Sequence, residues 1–229
     1  MNAHPPATRT ASAATPQREA VVTHIRRAIV LGDLQPGEKL REVKLAAELG
    51  VSRATLREAL NLLVQDGLLV QEPYRGFSIS RLDAAALRDI ARTRVPLDLI
   101  AIRAILDDAT GRRLQLVREV WEGFQASTFD PDPLVQHQAH VAFHRGLWAA
   151  SENWMLLRLW PVIEALTTIT LAQDQIAYSD PQRAHDLHQG LVEAILAGDL
   201  AQIEDLLRRH TIDSAEELIG RHADRSLGS

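Results

Sequence analysis

From Ser52 to Val64 the chain repeats its apolar residues at helical spacing. Leu56, Ala59, Leu60, Leu63 and Val64 fall on one stripe, behind a serine placed to cap the first turn. Such a helix must bury its stripe, so the neighbouring segments have to supply a small core. At about 100° per residue the other side carries Arg57, Ala54, Glu58, Asn61 and Thr55, with Arg53 at the boundary near the N-terminus. Two arginines one turn apart, among small and hydroxyl side chains, suit a helix entering a DNA major groove. Its free N–H groups can meet phosphate, and a guanidinium can take guanine O6 and N7 together. On this stretch alone a recognition helix and an ordinary amphipathic surface helix stand level. The neighbours decide.

Before it, Glu19 to Val30 places Val21, Val22, Ile25, Ala28 and Ile29 on one buried helix face. Gly32 to Gly37 is a run of turn residues that stops this helix, with Leu34 and Leu40 left to enter the core. Leu40 to Leu49 reads as a second short helix closed by Gly50, where a left-handed cap is wanted. Two helices joined by a short Gly-containing turn make a helix-turn-helix. After Gly67 the period changes, and Leu69–Glu72 and Phe77–Ser80 read as two strands around the turn Pro73-Tyr74-Arg75-Gly76. This β-wing carries Arg75 and Gly76 at its tip, where a cation and a bare backbone can approach a sugar-phosphate edge. A winged helix-turn-helix is therefore expected over 18–81, preceded by a disordered tail at 1–17, which is rich in Ala, Thr and Pro.

Charge is unevenly spread. The net charge is −5, yet the head from Arg18 to Arg81 has ten Lys/Arg against eight Asp/Glu, and the remainder from Leu82 has fourteen against twenty-two. A mildly basic head on an acidic body is compatible with DNA binding through a local surface. Cysteine is absent, which removes disulfide and thiolate chemistry. No run of about 18 uninterrupted apolar residues occurs, so no membrane span is expected and the protein is assigned to the cytoplasm.

Beyond Leu82 the pattern is helical throughout. Asp83 caps a run that meets Pro96, where a kink or break near Val95 is expected. Further helices are expected at about Leu114–Phe124, from Pro133 to Ala150, from Asn153 to Tyr178 with Pro161 inside, from Pro181 to Ala197, and from Asp199 to His222. The fold class is thus mainly α, a winged helix-turn-helix followed by an all-α bundle of six or seven helices over 82–222 and a tail at 223–229. His140 and His144, four apart, project from one face of one helix, and His188 and His210 lie on the last two helices. Imidazoles from facing helices are how bundle cores hold metals, although a lone His-x3-His pair is more often two surface histidines.

The head resembles the GntR family of bacterial transcription regulators. The resemblance rests on Ile25 to Ile29, Gly32 to Gly37, Leu45-Ala46, Leu49 to Arg53, Leu56 to Leu60, Gly67-Leu68 and Arg75-Gly76. It implies that Ser52, Arg53, Thr55 and Arg57 contact DNA from the recognition helix, and Arg75 and Gly76 from the wing. Val43 stands where some members place a DNA-touching arginine, a contact that is missing here or moved to Arg41 or Lys44.

Residues 82–222 resemble the FadR-type C-terminal ligand-binding (FCD) domain, through Arg94 with Leu97-Asp98, Phe143-His144 with Asn153, His188, Ala194-Ile195, Gly198-Asp199 and His210. In many members an aspartate and three histidines hold a divalent metal on the floor of an effector pocket. His144, His188 and His210 fall on the histidine positions, and His140 occupies the aspartate position. Four neutral imidazoles would favour Zn²⁺ or Ni²⁺ over Mg²⁺ or Ca²⁺ and would leave the ion's charge undiminished. A metal-free pocket lined with histidines is the other reading. Arg94 is a candidate carboxylate clamp, since its planar fork pairs with two oxygens, or else a salt-bridge partner of Asp98. Asn153 is a candidate effector contact or a helix cap. Trp121, Trp148, Trp154 and Trp160 are assigned to core or dimer packing.

Together these expectations describe a ligand-responsive transcription regulator, a homodimer whose two heads read two-fold symmetric operator DNA. Its effector would be a small carboxylate or sugar acid bound beside the metal, and repression released by that ligand is the commoner pattern in similar proteins. A metal sensor on the same fold is the alternative. A histidine-ligated metalloenzyme is a further one, against which the chain has no HExxH motif.

Overall fold

In the computed structural model, which describes residues 16–173 and 180–227, the Ser52 hydroxyl accepts the Thr55 N–H at 3.0 Å and opens a helix over Arg53–Gln65. This helix, α3, follows α1 (Pro16–Val30) and α2 (Glu42–Glu48), and a hairpin of β1 (Leu69–Glu72) and β2 (Gly76–Ile79) comes after it. Leu56, Ala59, Leu60 and Leu63 are fully buried against Val21, Ile25 and Ile29 of α1 and Leu68, Leu69, Phe77 and Ile79 of the wing. Each large side chain so buried contributes about 1.5–3 kcal/mol relative to exposure. The strands pair antiparallel, with Leu69 opposite Ile79 and Glu72 opposite Gly76. Their turn needs positive φ at Tyr74 (63°) and Gly76 (81°), and glycine takes that conformation without strain.

The second helix is shorter than the expected Leu40–Leu49. The Leu40 N–H donates to Phe77 O at 2.8 Å, the Ile79 N–H donates to Glu38 O at 2.8 Å, and Lys39 bridges to Ser78. The chain entering α2 thus satisfies its backbone groups on the wing instead of in a helical turn, which fixes the wing to the helix-turn-helix.

The bundle contains α4 (Ala84–Leu106), α5 (Arg112–Gln125), α6 (Pro133–Ala150), α7 (Trp154–Gln173), α8 (Pro181–Ala197), α9 (Leu200–Arg208), a π turn at Arg209–Asp213 and α10 (Ser214–Leu227). Its main core gathers Val95, Ile102, Val117, Phe124, Phe143, Leu147, Leu191, Ile195, Ile203 and Leu207. Asp83, Asp132, Asp180 and Asp199 each cap a helix through a backbone N–H.

Three expectations are corrected here. The helix through Pro96 does not break: α4 is continuous because Pro96 and Arg92 lie on its exposed face, where a carbonyl deprived of its partner meets water. The helix expected from Asp199 to His222 is interrupted by the π turn, which inserts one residue into the helical repeat around His210. The tail expected at 223–229 is helical as far as Leu227, since neither Gly nor Pro interrupts 221–227. Of the N-terminal tail, only Pro16 and Gln17 are described, and they open α1; the part of the helix expected over 174–178 lies outside the described residues.

Helix α7 belongs to two cores. Ala165 and Ile169 pack into the head, while Leu156, Trp160 and Ile163 pack with Trp148 and Ala101 in the bundle. Over Trp154–Leu171 it is long and apolar enough to cross a membrane by length and composition, with 39% of that window buried inside the protein. Arg158 and Glu164 interrupt the apolar run, which is why counting uninterrupted residues passes over it. Trp148 and Trp160 are buried, Trp121 stacks on Phe124 at 5.7 Å, and Trp154 is exposed.

Candidate functional site

Helix α6 presents His140 and His144 one turn apart, α8 presents His188 from the facing side, and the π turn presents His210. Their nearest ring nitrogens all lie within 4.8 Å of one another. His144 Nε2 is 3.2 Å from His188 Nε2 and 3.1 Å from His210 Nε2. The Nδ1–H of His188 donates to the Ala184 carbonyl, which leaves its Nε2 bare and pointed into the cluster. His144 has at most one Nε2 proton, and one proton cannot serve both close contacts as an ordinary two-centre bond.

A cation among the four rings would resolve that conflict. Nitrogens about 2.0–2.1 Å from a tetrahedral zinc stand about 3.3–3.4 Å from one another, close to the spacing here. Burial holds His140, His144 and His210 well below the ordinary imidazole range and His188 at about 4, the Ala184 bond opposing the shift in His188. All four are therefore neutral near pH 7, the form that ligates metal. His210 Nδ1 is buried without a partner. The residues present fit a divalent metal of nitrogen-seeking type. His137 and His185 are not in the cluster: His137 faces Thr168 at 3.3 Å, and His185 stacks beside Trp121 and Phe129.

His140 and His210 of the cluster line the floor of a cavity of about 180 Å³ bounded by α4, α5, α6, α7, α8 and α10. Arg94 reaches it from α4 and is only 7% exposed. Its Nη1 donates to Thr167 Oγ1 at 3.3 Å, and its Nε lies 3.4 Å from Asp98 Oδ2, but neither Nε nor Nη2 has a well-formed hydrogen bond. The salt-bridge reading of Arg94 is thus met, with donors left over. Asp98 is held from its other side by Trp148 Nε1 at 2.6 Å; burial raises its carboxyl above the usual range, while Arg94 and Trp148 pull it down. Asn153, the other candidate effector contact, is elsewhere. Its Oδ1 accepts from the N–H groups of Met155 and Leu156 at 3.1 and 3.4 Å, so it caps α7 and does not line the cavity.

On the head, Arg53 and Ser52 are exposed at the start of α3, with Ser52 Oγ 2.9 Å from Thr55 Oγ1. Arg57 is held in place: its Nε is 3.6 Å from Glu42 and its guanidinium lies 5.6 Å from the Phe77 ring centroid. Arg41 is exposed at the start of α2, and Lys44 pairs with Glu48 at 3.5 Å. Arg75, at the wing tip beside Gly76, is 3.4 Å from Glu72.

Residues 17–79 match the model of the bacterial regulatory proteins of the gntR family, and residues 89–213 match the FCD domain. The chain belongs to the GntR family. A GntR relative in Paenarthrobacter nicotinovorans, a probable D-xylose utilization operon transcriptional repressor, is 31% identical over 84% of this chain and 86% of its own length. An uncharacterized HTH-type transcriptional regulator of Bacillus subtilis, YdhC, is 35% identical over 47% of this chain and 48% of its own. Among solved structures, a GntR regulator from Rhodococcus sp. RHA1 shares the fold with a TM-score of 0.73, at 21% identity over 90% of this chain and 99% of that one. The four histidines and Arg94 fall within the FCD match, and α3 with the wing falls within the gntR match.

Two features of this GntR chain escape reading from sequence. Tyr74 stands fully exposed at the wing tip with positive φ, a place its turn sequence marks but does not orient. Thr167 and Thr211 join Arg94 and His210 in the cavity wall, and their periodicity gives no hint of it.

Proposed function

We propose that this GntR-family chain is a repressor whose two copies bind two-fold symmetric operator DNA through Ser52, Arg53, Thr55, Arg57, Arg75 and Gly76, with Arg41 or Lys44 supplying phosphate contacts. A small carboxylate or sugar acid enters the FCD cavity, meets Arg94 and a divalent metal on His140, His144, His188 and His210, and releases the DNA. When bound, that metal would supply a positive charge to an anionic oxygen. The observation that carries this reading is the cavity itself, with His140 and His210 of the four converging imidazoles in its floor and a buried arginine with donors to spare in its wall. Zinc or nickel suits an all-nitrogen set. The exposed apolar run Trp154, Met155, Leu157 and Val162 on α7 supports pairing of two copies.

Selection of bound sequences from random double-stranded DNA tests the reading, followed by titration of the selected site with acids. A two-fold consensus whose binding is weakened by an acid, with about one zinc or nickel per chain by elemental mass spectrometry and none in the His144→Ala/His188→Ala variant, is the expected result. No enriched sequence would sink the DNA assignment.

The convergence of four neutral ligands also favours a second reading, in which the metal is itself the effector. Metal and chelator without organic acid would then switch operator binding by themselves. An enzyme would need a general base beside the cluster. Glu217 lines the cavity but is engaged by Arg183 at 2.8 Å and Arg221 at 3.7 Å.

A further inference from the structure

The cavity's free hydrogen-bonding capacity is concentrated at one end. Buried side-chain atoms without a hydrogen bond include Arg94 Nη2, His210 Nδ1 and Thr211 Oγ1, at or beside the histidine floor, and Arg94 Nε has only its ion pair with Asp98. Several of the other polar groups around the cavity are already engaged. Thr170 Oγ1 donates to the Leu166 carbonyl, Gln136 to the Asp130 carbonyl, Ser214 to the Arg209 carbonyl, and Arg183 to Glu217.

Away from the floor the α4 side of the wall is apolar and sets its length, while polar residues such as Thr170, Arg183 and Glu217 line the cavity elsewhere. Leu87, Ile90, Ala91 and Arg94 follow one another at helical spacing on the same lining face, and Phe124 and Leu187 also line the cavity. At 1.5 Å per residue, Leu87 lies about 10 Å along the helix from Arg94. A ligand reaching between them meets charge at one end and hydrocarbon along the rest.

We infer that the effector is a monocarboxylic acid with a compact apolar body, a short alkyl chain or a single ring, and not a polyhydroxylated sugar acid. The inference rests on the reading of this cavity as the effector site and names its ligand class. The carboxylate lies at Arg94 and the histidine floor, and the body runs along Leu87, Ile90 and Ala91. Four neutral imidazoles and a mutually balanced Arg94–Asp98 pair leave a bound ion's positive charge for the acid head alone. A sugar acid would bring its hydroxyls against carbons and occupied polar groups, where each loses its water without a new partner.

Isothermal titration calorimetry on the full-length protein with added zinc tests this, using acetate, hexanoate, phenylacetate, D-gluconate, D-glucuronate and 1-hexanol. Hexanoate and phenylacetate are expected to bind about tenfold or more tighter than acetate and both sugar acids, the scale on which apolar pockets discriminate. Hexanol is expected to bind at least about tenfold more weakly than hexanoate, because it lacks the charged head. Arg94→Gln should remove the preference for hexanoate over hexanol. Ile90→Thr, which leaves the buried arginine untouched, should narrow the gap between hexanoate and gluconate. Sugar acids binding as tightly as hexanoate would overturn the apolar-body inference and leave the carboxylate reading standing. Hexanol matching hexanoate would overturn the head assignment, and no binding by any acid would overturn both this inference and the reading beneath it.

Discussion

Thr167 and Ile169, two residues apart on α7, face different parts of the molecule. Thr167 Oγ1 accepts from Arg94 Nη1 at 3.3 Å in the cavity wall, whereas Ile169 is fully buried in the head core with Leu56 and Leu60 of the cluster that supports the recognition helix. Arg26 of α1 reinforces the junction, 2.9 Å from Asp66 and 3.8 Å from Glu164 of α7. An acid that drew Arg94 away from Thr167 would therefore act on the helix that completes the head. Ile169→Val removes one methyl from that seat and costs about 0.5–1.5 kcal/mol of stability. The expected outcome is operator affinity close to the parent's without acid, with the fold-change on adding acid reduced several-fold, read by fluorescence anisotropy. Couplings of this kind run to about 5- to 150-fold, so the loss is measurable. An unchanged ratio in the variant would show that α7 does not carry the signal.

Arg53 and Arg57 differ more in the structure than in the sequence. Arg53 is free at the helix start, while Arg57 is braced by Glu42 and the Phe77 ring. Each alanine variant is expected to cost about 1–3 kcal/mol of operator affinity. Glu42→Gln leaves Arg57 in place but loosens it, and should cost less than Arg57→Ala while lowering the stability of the wing contact. Competition binding with specific and random duplexes separates these cases. Equal affinity of the parent and both arginine variants for the specific duplex would remove α3 from the interface.

Gly146 of α6 faces Val120 of α5. A Cβ there would lie 2.5 Å from Val120 Cγ2 and 2.8 Å from Cγ1, closer than side chains tolerate. In an open helix Gly→Ala stabilises by roughly 0.5–1 kcal/mol. Here the clash reverses the sign, and Gly146→Ala should destabilise by about 1–3 kcal/mol in urea unfolding. Val120→Ala combined with it should recover much of the loss, whereas equal additive losses would mean that the two helices separate instead.

Much of this architecture is legible before folding because the governing physics is local. The Ser52 cap, the Leu56–Leu63 stripe and the Pro73–Gly76 turn state their roles in consecutive residues, as do the capping aspartates of α6 and α8. The histidines at 140 and 144 share a face by spacing alone. His210 does not: the π turn that presents it has no Gly or Pro to announce it and is recognised only once the neighbouring helices are placed. Pro96 announces a break that its exposed position makes unnecessary. Leu40 looks helical and instead bonds to the wing, a choice made by a strand almost forty residues later. The double allegiance of α7 is a tertiary fact, since Ala165, Thr167 and Ile169 carry no mark of which core each will join.

His140 offers a test of how charge at the floor governs the ligand. It lies with its ring centroid 5.0 Å from that of His144 and 4.9 Å from that of His188, so a carboxylate in its place would still reach an ion held by the other three. His140→Asp is therefore expected to retain about one metal per chain by elemental analysis. It also brings a negative charge beside Arg94 and the ion, lowering the net charge that meets an acid head. Anion affinity should fall by on the order of tenfold, a Coulombic penalty well within what like charges impose at a partly buried site. Greater tolerance of oxygen-seeking ions such as Mn²⁺ should accompany it, because a mixed nitrogen and oxygen set is harder than four imidazoles. The two readouts answer different questions. Loss of metal in His140→Asp would mean that the fourth imidazole is needed to hold the ion, and unchanged acid affinity with metal retained would mean that Arg94, not the ion, sets the field at the head of the cavity.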